Sequence, residues 1–139
     1  MVYFDTSALL PLFLTEGTTP AVHTFVATVG QPLIISEWAV TEFSSALSLR
    51  VRVKSIAAHE ADAVNGALDA LLAANAPIAL ARIDFHRARS FVADAALNIR
   101  AGDALHLAAA ERLGAMLATF DRGLMQAARS IGLPCAAIS

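Results

Sequence analysis

Four acidic residues stand where separate parts of one folded chain could bring them together: Asp5 in YFDTS, Glu42 in EWAVTEFSSAL, Asp103 in AGDALHLAAA and Asp121 in ATFD. Carboxylates converging from separate segments make an all-oxygen donor set. Such a set suits Mg2+ or Mn2+ rather than Zn2+. The other ligand types agree, since Cys135 is the only cysteine and the histidines show no paired spacing. One or two hard cations held in this way orient a water and stabilise charge on a phosphoryl group, which is the chemistry of phosphodiester hydrolysis. Without a cation the cluster repels itself, and some members should keep protons above their usual pKa.

Each acid also has a plainer reading. Asp5, Asp103 and Asp121 fall at or near predicted helix starts, where an aspartate caps free amides and complements the helix dipole. Glu42 escapes that explanation. It lies several residues into its helix, four after Trp38 and next to Phe43, at the border of an apolar stripe. No arginine or lysine lies within a helical turn or two of it, so a half-buried carboxylate there needs another partner. A metal ion would serve. His106, three residues after Asp103, falls on a neighbouring face of the same helix.

The elements that must position these residues alternate between short apolar runs and helical patterns. Strands are expected at 2–4, 32–36, 77–83, 115–120 and 134–138. Between them the pattern predicts a helix over SALLPLFLTEG, with Pro11 in its first turn or at a kink, and a second over 18–29. Ser36 should cap a long helix to about Lys54, Ser55 another to about Ala74, and Asp84 a third from Phe85 to about Asn98. Gly102 and Asp103 open a helix through Leu113, and Asp121 to Ile131 is the last. Uniformly apolar strands alternating with helices predict an α/β fold of three layers, a central parallel sheet of about five strands covered on both faces. Ligands bind such sheets beyond the carboxyl ends of the strands. Three of the four acids are expected at that edge, Asp5 and Asp121 among them directly after strands.

At 139 residues the chain is expected to form a single domain over 1–139. Hydrophobic residues make up 57% and charged residues 16%, which excludes intrinsic disorder. Mean hydropathy is +0.60, yet no stretch is clean enough to span a bilayer. With no export signal in view, the expected compartment is the cytoplasm. A net charge of −2 gives no bulk attraction to nucleic acid, so basic clusters would have to supply it. Arg50, Arg52 and Lys54 form one cluster, and Arg82, Arg87 and Arg89 a second, although either could equally be a solvated helix face. The nearly uncharged stretch Ala8 to Val29 is expected to leave apolar surface for a protein partner.

YFDTSALL, SEWAVTEFSSAL, IRAGDALHLAAA and ATFDRGLMQAARSIGLP, in this order and spacing, resemble a PIN domain, specifically the VapC-type ribonuclease toxins of bacterial toxin–antitoxin pairs. No one of these tags is distinctive alone; the four together are. The resemblance implies that Asp5, Glu42, Asp103 and Asp121 are the acidic quartet and that Thr119 is the hydroxyl residue ahead of the fourth acid. Thr6 and Ser7 then orient the first acid or contact phosphate or water. It further implies an endoribonuclease using one or two Mg2+ or Mn2+ ions, leaving 5′-phosphate ends on tRNA or another structured RNA. A cognate antitoxin lying beside the first helices, and a homodimer, complete the implied partners.

Two enzyme or receiver classes compete and fail. A haloacid-dehalogenase-type phosphatase needs a second aspartate two residues after the first, and position 7 is serine. A receiver-like module needs paired acids and a late lysine, and Lys54 is the only lysine. A catalytically silent PIN scaffold that binds protein or RNA is the remaining alternative, against which the four intact acids speak.

Overall fold

The computed structural model describes residues 1–139. Strands β1 (Val2–Phe4), β2 (Leu33–Ile34) and β3 (Met116–Ala118) form a parallel sheet in the order β2-β1-β3. Val2 stands between Leu33 and Met116, and Tyr3 between Ile34 and Leu117. Single bridges place Ile78 beside Ser36 and Cys135 beside Leu117, both parallel. Five segments therefore run side by side as expected, but the third and fifth are bridges rather than strands. Ile78 pairs with Ile35 and Glu37 and the chain then turns away. The Asp84 carboxylate accepts from the Ala81 N–H, which draws the next helix start back to Arg82. In the fifth segment Pro134 contributes only its carbonyl, to Leu117.

The helices are α1 (Thr6–Leu9), α2 (Thr19–Thr28), α3 (Glu37–Arg52), α4 (Ala58–Ala74), α5 (Arg82–Ala93), α6 (Ala101–Leu113) and α7 (Arg122–Ser130). The first is much shorter than its pattern predicts. Pro11 has no N–H to continue the α-helical ladder, and the chain tightens into a 3-10 turn over Leu10–Leu12. Ser55 does not cap α4: its hydroxyl donates to the Arg50 carbonyl after Lys54 takes a left-handed φ of 59°. The Glu60 carboxylate, accepting from the Ala57 N–H, closes that start instead. Helix α5 ends at Ala93, short of Asn98, because Asp94 accepts from the Ala96 N–H and turns the chain.

Alternation along β1 sorts its side chains between two faces. Tyr3 packs in a core with α5, α6 and α7 residues such as Phe91, Leu107 and Leu124. Val2 and Phe4 pack opposite, with Ala8 and Val22. Helices thus cover both faces, giving the three-layer α/β arrangement. A third cluster joins Leu9 and Leu10 to Phe43 and Leu47 of α3 and to Val64 and Leu68 of α4. The spacing of Ala39, Phe43 and Leu47 turns one stripe of α3 inward, and Glu42, a neighbour of Phe43, lies at its border.

The apolar stretch 8–29 is not the exposed surface the sequence led us to expect. Leu9, Leu10 and Val22 are buried, and Phe13, Phe25 and Val26 pack against the core. The large apolar residues left exposed are instead Ile83, Phe85 and Val92 on α5, Leu49 on α3, Val53 at its end, and Met1. No helix is long and apolar enough to cross a membrane.

Candidate active site

Each acid is placed by the junction it occupies. Asp5 follows β1 and caps α1: its Oδ1 accepts from the Ala8 N–H at 2.9 Å. Asp121 follows β3 and caps α7, accepting from the Leu124 N–H at 2.8 Å. Asp103 sits in the first turn of α6 and Glu42 in the second turn of α3. The capping reading of Asp5 and Asp121 is therefore correct as far as it goes. It leaves unexplained why their remaining bonds run to one another's surroundings.

Thr119 makes that connection. Its hydroxyl donates to Asp5 Oδ2 at 2.6 Å and accepts from the Asp121 N–H at 3.0 Å. Ser7 donates to Asp5 at 2.8 Å and accepts from the Phe120 N–H at 2.9 Å. Thr6 turns the other way, donating to Glu42 Oε2 at 2.6 Å. The three hydroxyl residues singled out in the sequence thus all touch an acid of the quartet.

Glu42 has a partner the sequence did not disclose. His106 Nε2 lies 2.5 Å from its Oε2. A metal ion would have served as Glu42's partner, but an imidazole 64 positions along the chain already supplies one. His106 is 1% exposed. Its Nδ1 is 2.9 Å from the Tyr3 hydroxyl, which is 2.7 Å from Ser36 Oγ, and Ser36 accepts the Ala39 N–H as cap of α3. Gly102 completes the approach of α3 to α6. A Cβ there would lie 3.0 Å from Glu42 Oε1 and 3.2 Å from the Trp38 ring, whose Nε1–H donates to the Gly102 carbonyl.

Charge in the cluster is poorly compensated. Burial pushes the Asp5 carboxyl above its ordinary value, against the hydrogen bonds of Thr119, Ala8 and Ser7. Asp103 is raised by burial and then by the charges of Asp121 and Glu42. Burial also acts on Glu42, but the hydrogen bonds from His106 and Thr6 outweigh it and hold the carboxylate below its usual range. No arginine or lysine pairs with any of the four. An oxygen-only, mutually repelling set fits a hard divalent cation. As the side chains stand, however, no group of three or more His, Cys, Asp or Glu is set to hold one ion.

The first basic cluster does not converge on the acids, and of the second only Arg89 lies near the start of α6, in a cleft with Ala101 and Leu105. Arg50 pairs with Glu16 at 2.6 Å, and it lies eight residues along α3 from Glu42, about 12 Å of helix. Arg52 and Lys54 lie farther in the same direction. Arg87 pairs with Glu111, and Arg112 with Asp84, which sets the start of α5 against the end of α6 opposite Asp103. Arg82 and Arg89 are unpaired, and Arg82 shares that remote end. Sequence reasoning passed over Arg100, which precedes α6 and its Asp103, and Arg122, which follows Asp121 directly; both are exposed and without an ion pair. Adjacency in IRAGD and FDR was the available signal.

The architecture is shared with solved proteins. FitAcB from Neisseria gonorrhoeae superposes with a TM-score of 0.75 at 16% identity, over 99% of this chain and 97% of that one. VapC20 of Mycobacterium tuberculosis, a toxin that cleaves the sarcin–ricin loop, superposes with a TM-score of 0.69 at 16% identity, over 91% and 95%. No curated protein matches the chain in sequence. The sequence model of the PIN domain matches residues 2–130, a span that includes all four acids, and the chain belongs to the PIN domain family.

Proposed function

We propose that the chain is a divalent-metal-dependent endoribonuclease of the VapC toxin type. The observation that carries the proposal is the placement of Asp5, Glu42, Asp103 and Asp121 on four elements, with Asp103 raised by its neighbours' charge and no arginine or lysine paired to any of them. Family membership and the toxin VapC20 among its structural likenesses support the same reading.

In this reading the four carboxylates hold one or two Mg2+ or Mn2+ ions, which when bound supply an activated water and charge stabilisation at the phosphoryl group. The chain's own residues do the rest. Thr119 and Ser7 fix Asp5 by both oxygens, and Thr119 ties it to the Asp121 backbone. Arg100 and Arg122 flank the acids and hold the RNA backbone, whose charge the cluster alone would repel. Because water is the nucleophile, the 2′-hydroxyl takes no part and the products carry 5′-phosphates. A cognate antitoxin would silence the site, and the active form would be a homodimer in the cytoplasm.

The test is cleavage of total tRNA by purified protein with and without Mn2+ or Mg2+, beside Asp5→Asn. Metal-dependent fragments that disappear in the variant are expected. Neither cleavage nor calorimetric metal binding would leave a silent PIN scaffold in its place.

A further inference from the structure

We propose that His106 is a positioning residue for the acidic cluster: it holds Glu42 by Oε2, leaving Oε1 to face the site, and is itself held by Tyr3 and Ser36. The inference rests on reading the four acids as one metal-dependent site. Both hydrogen bonds to Glu42, from Thr6 and His106, end on the same oxygen, and Oε1 accepts none. Oε1 lies instead over the start of α6, in the space that the missing side chain of Gly102 leaves.

The direction of the line is set at its far end. The Glu42 carboxylate only accepts, so Nε2–H donates to it; Tyr3 then donates to His106 Nδ1 and accepts from the Ser36 hydroxyl, whose oxygen also accepts the Ala39 N–H. Reversing the line would leave the Ser36 proton without an acceptor at a fully buried position. A histidine buried among Ala104, Leu107 and Tyr3 could be no more than a satisfied core residue. What separates the two readings is the identity of its second partner, an acid of the cluster whose side chain has rotatable bonds to lose and, beyond the Thr6 hydroxyl, no other tether.

The experiment compares wild type, His106→Leu, His106→Gln and Tyr3→Phe. Mn2+ affinity is read by calorimetry, kcat and KM by RNA cleavage, and the imidazole by 15N NMR. The glutamine amide can donate from nearly the place of Nε2, whereas leucine fills the volume without a donor. Expected are a proton on Nε2 and none on Nδ1 in the wild type. His106→Leu should bind Mn2+ at least about tenfold more weakly and lose kcat with little change in KM, and His106→Gln should recover most of both. Tyr3→Phe should release the ring to mixed tautomers and weaken Mn2+ partially. A folded His106→Leu with wild-type Mn2+ affinity, or a wild-type ring protonated on Nδ1 alone, overturns the inference. If His106→Leu does not fold, a Tyr3→Phe protein with unchanged tautomer and Mn2+ affinity does so. Wild-type protein that neither binds Mn2+ nor cuts RNA would remove the metal-site reading, and this inference with it.

Discussion

Thr119→Val removes one hydroxyl and keeps the shape, which makes it a clean probe of how two acids are joined. Thr119 is 2% exposed, so nothing from solvent replaces the bonds it makes. The variant loses the bond to the Asp5 carboxylate, a charge-assisted contact contributing about 2 kcal/mol. It also strips the Asp121 N–H of its acceptor, at about 1 kcal/mol for a partly buried donor. The added methyl returns at most about 0.8 kcal/mol, so the net loss at neutral pH is about 2 kcal/mol. With a urea slope of about 1.5 kcal/mol/M the midpoint should fall by about 1.4 M.

The pH dependence has a definite sign. Burial already raises Asp5 above its ordinary value of 3.8, and the Thr119 bond opposes that rise. Without the bond the carboxyl is pushed higher still. A carboxyl raised on folding contributes stability at low pH that is lost as the pH climbs through its folded pKa. The deficit of Thr119→Val should therefore be greatest at pH 7 and shrink on acidification toward 3.8. RNA cleavage should drop by about 10- to 100-fold, and Thr119→Ser, which keeps the hydroxyl, should restore most of it. Urea melts of Thr119→Val that match wild type at pH 7, or a deficit that stays constant down to pH 4, would refute the reasoning.

Three further expectations concern the same molecule. In chelator the wild type should gain stability as pH falls through the raised pKa values of Asp5 and Asp103 toward 3.8; Mn2+ at about 100 times its Kd should add about 2.7 kcal/mol at pH 7 and less in acid, as thermal melts would read. Arg112→Met should cost about 3 kcal/mol by leaving the fully buried Asp84 carboxylate with the Ala81 N–H alone, and the double variant Asp84→Leu/Arg112→Met should cost less than the sum of the singles. Arg100→Ala and Arg122→Ala should each weaken RNA binding and lower the salt slope by about 0.7, whereas Arg87→Ala, whose guanidinium is already paired with Glu111, should leave both unchanged in fluorescence anisotropy.

What the sequence disclosed and what it hid follow from the range of the interactions concerned. Asp5, Ser36 and Asp121 close their hydrogen bonds within three residues, so their capping roles and the helix starts beside them were legible. The extent of the third strand was not, because Asp84 reaches back to Ala81 and converts part of an apolar run into the first turn of α5. Ser55 looked like a cap, but the left-handed turn at Lys54 points its hydroxyl back toward α3. The least legible feature was the partner of Glu42. Nothing near position 42 foretells an imidazole arriving from α6; the bonds of Tyr3 to Ser36 and His106 and the close approach at Gly102 bring them together.

The middle strand is built from residues 2–4, and one of its two neighbours from residues 116–118. A chain emerging from the ribosome thus displays its central strand over a hundred residues before the partner on that side. Loop closure of this span is slow relative to the local helices. The acids follow the same calendar, since Asp5 meets Thr119 and Asp121 only when β3 docks. Nascent or shortened chains lacking β3 would present capped helices and scattered carboxylates, with no assembled cluster. Chemical competence is therefore tied to the pairing of β1 with β3, the contact that spans the greatest length of chain in the sheet.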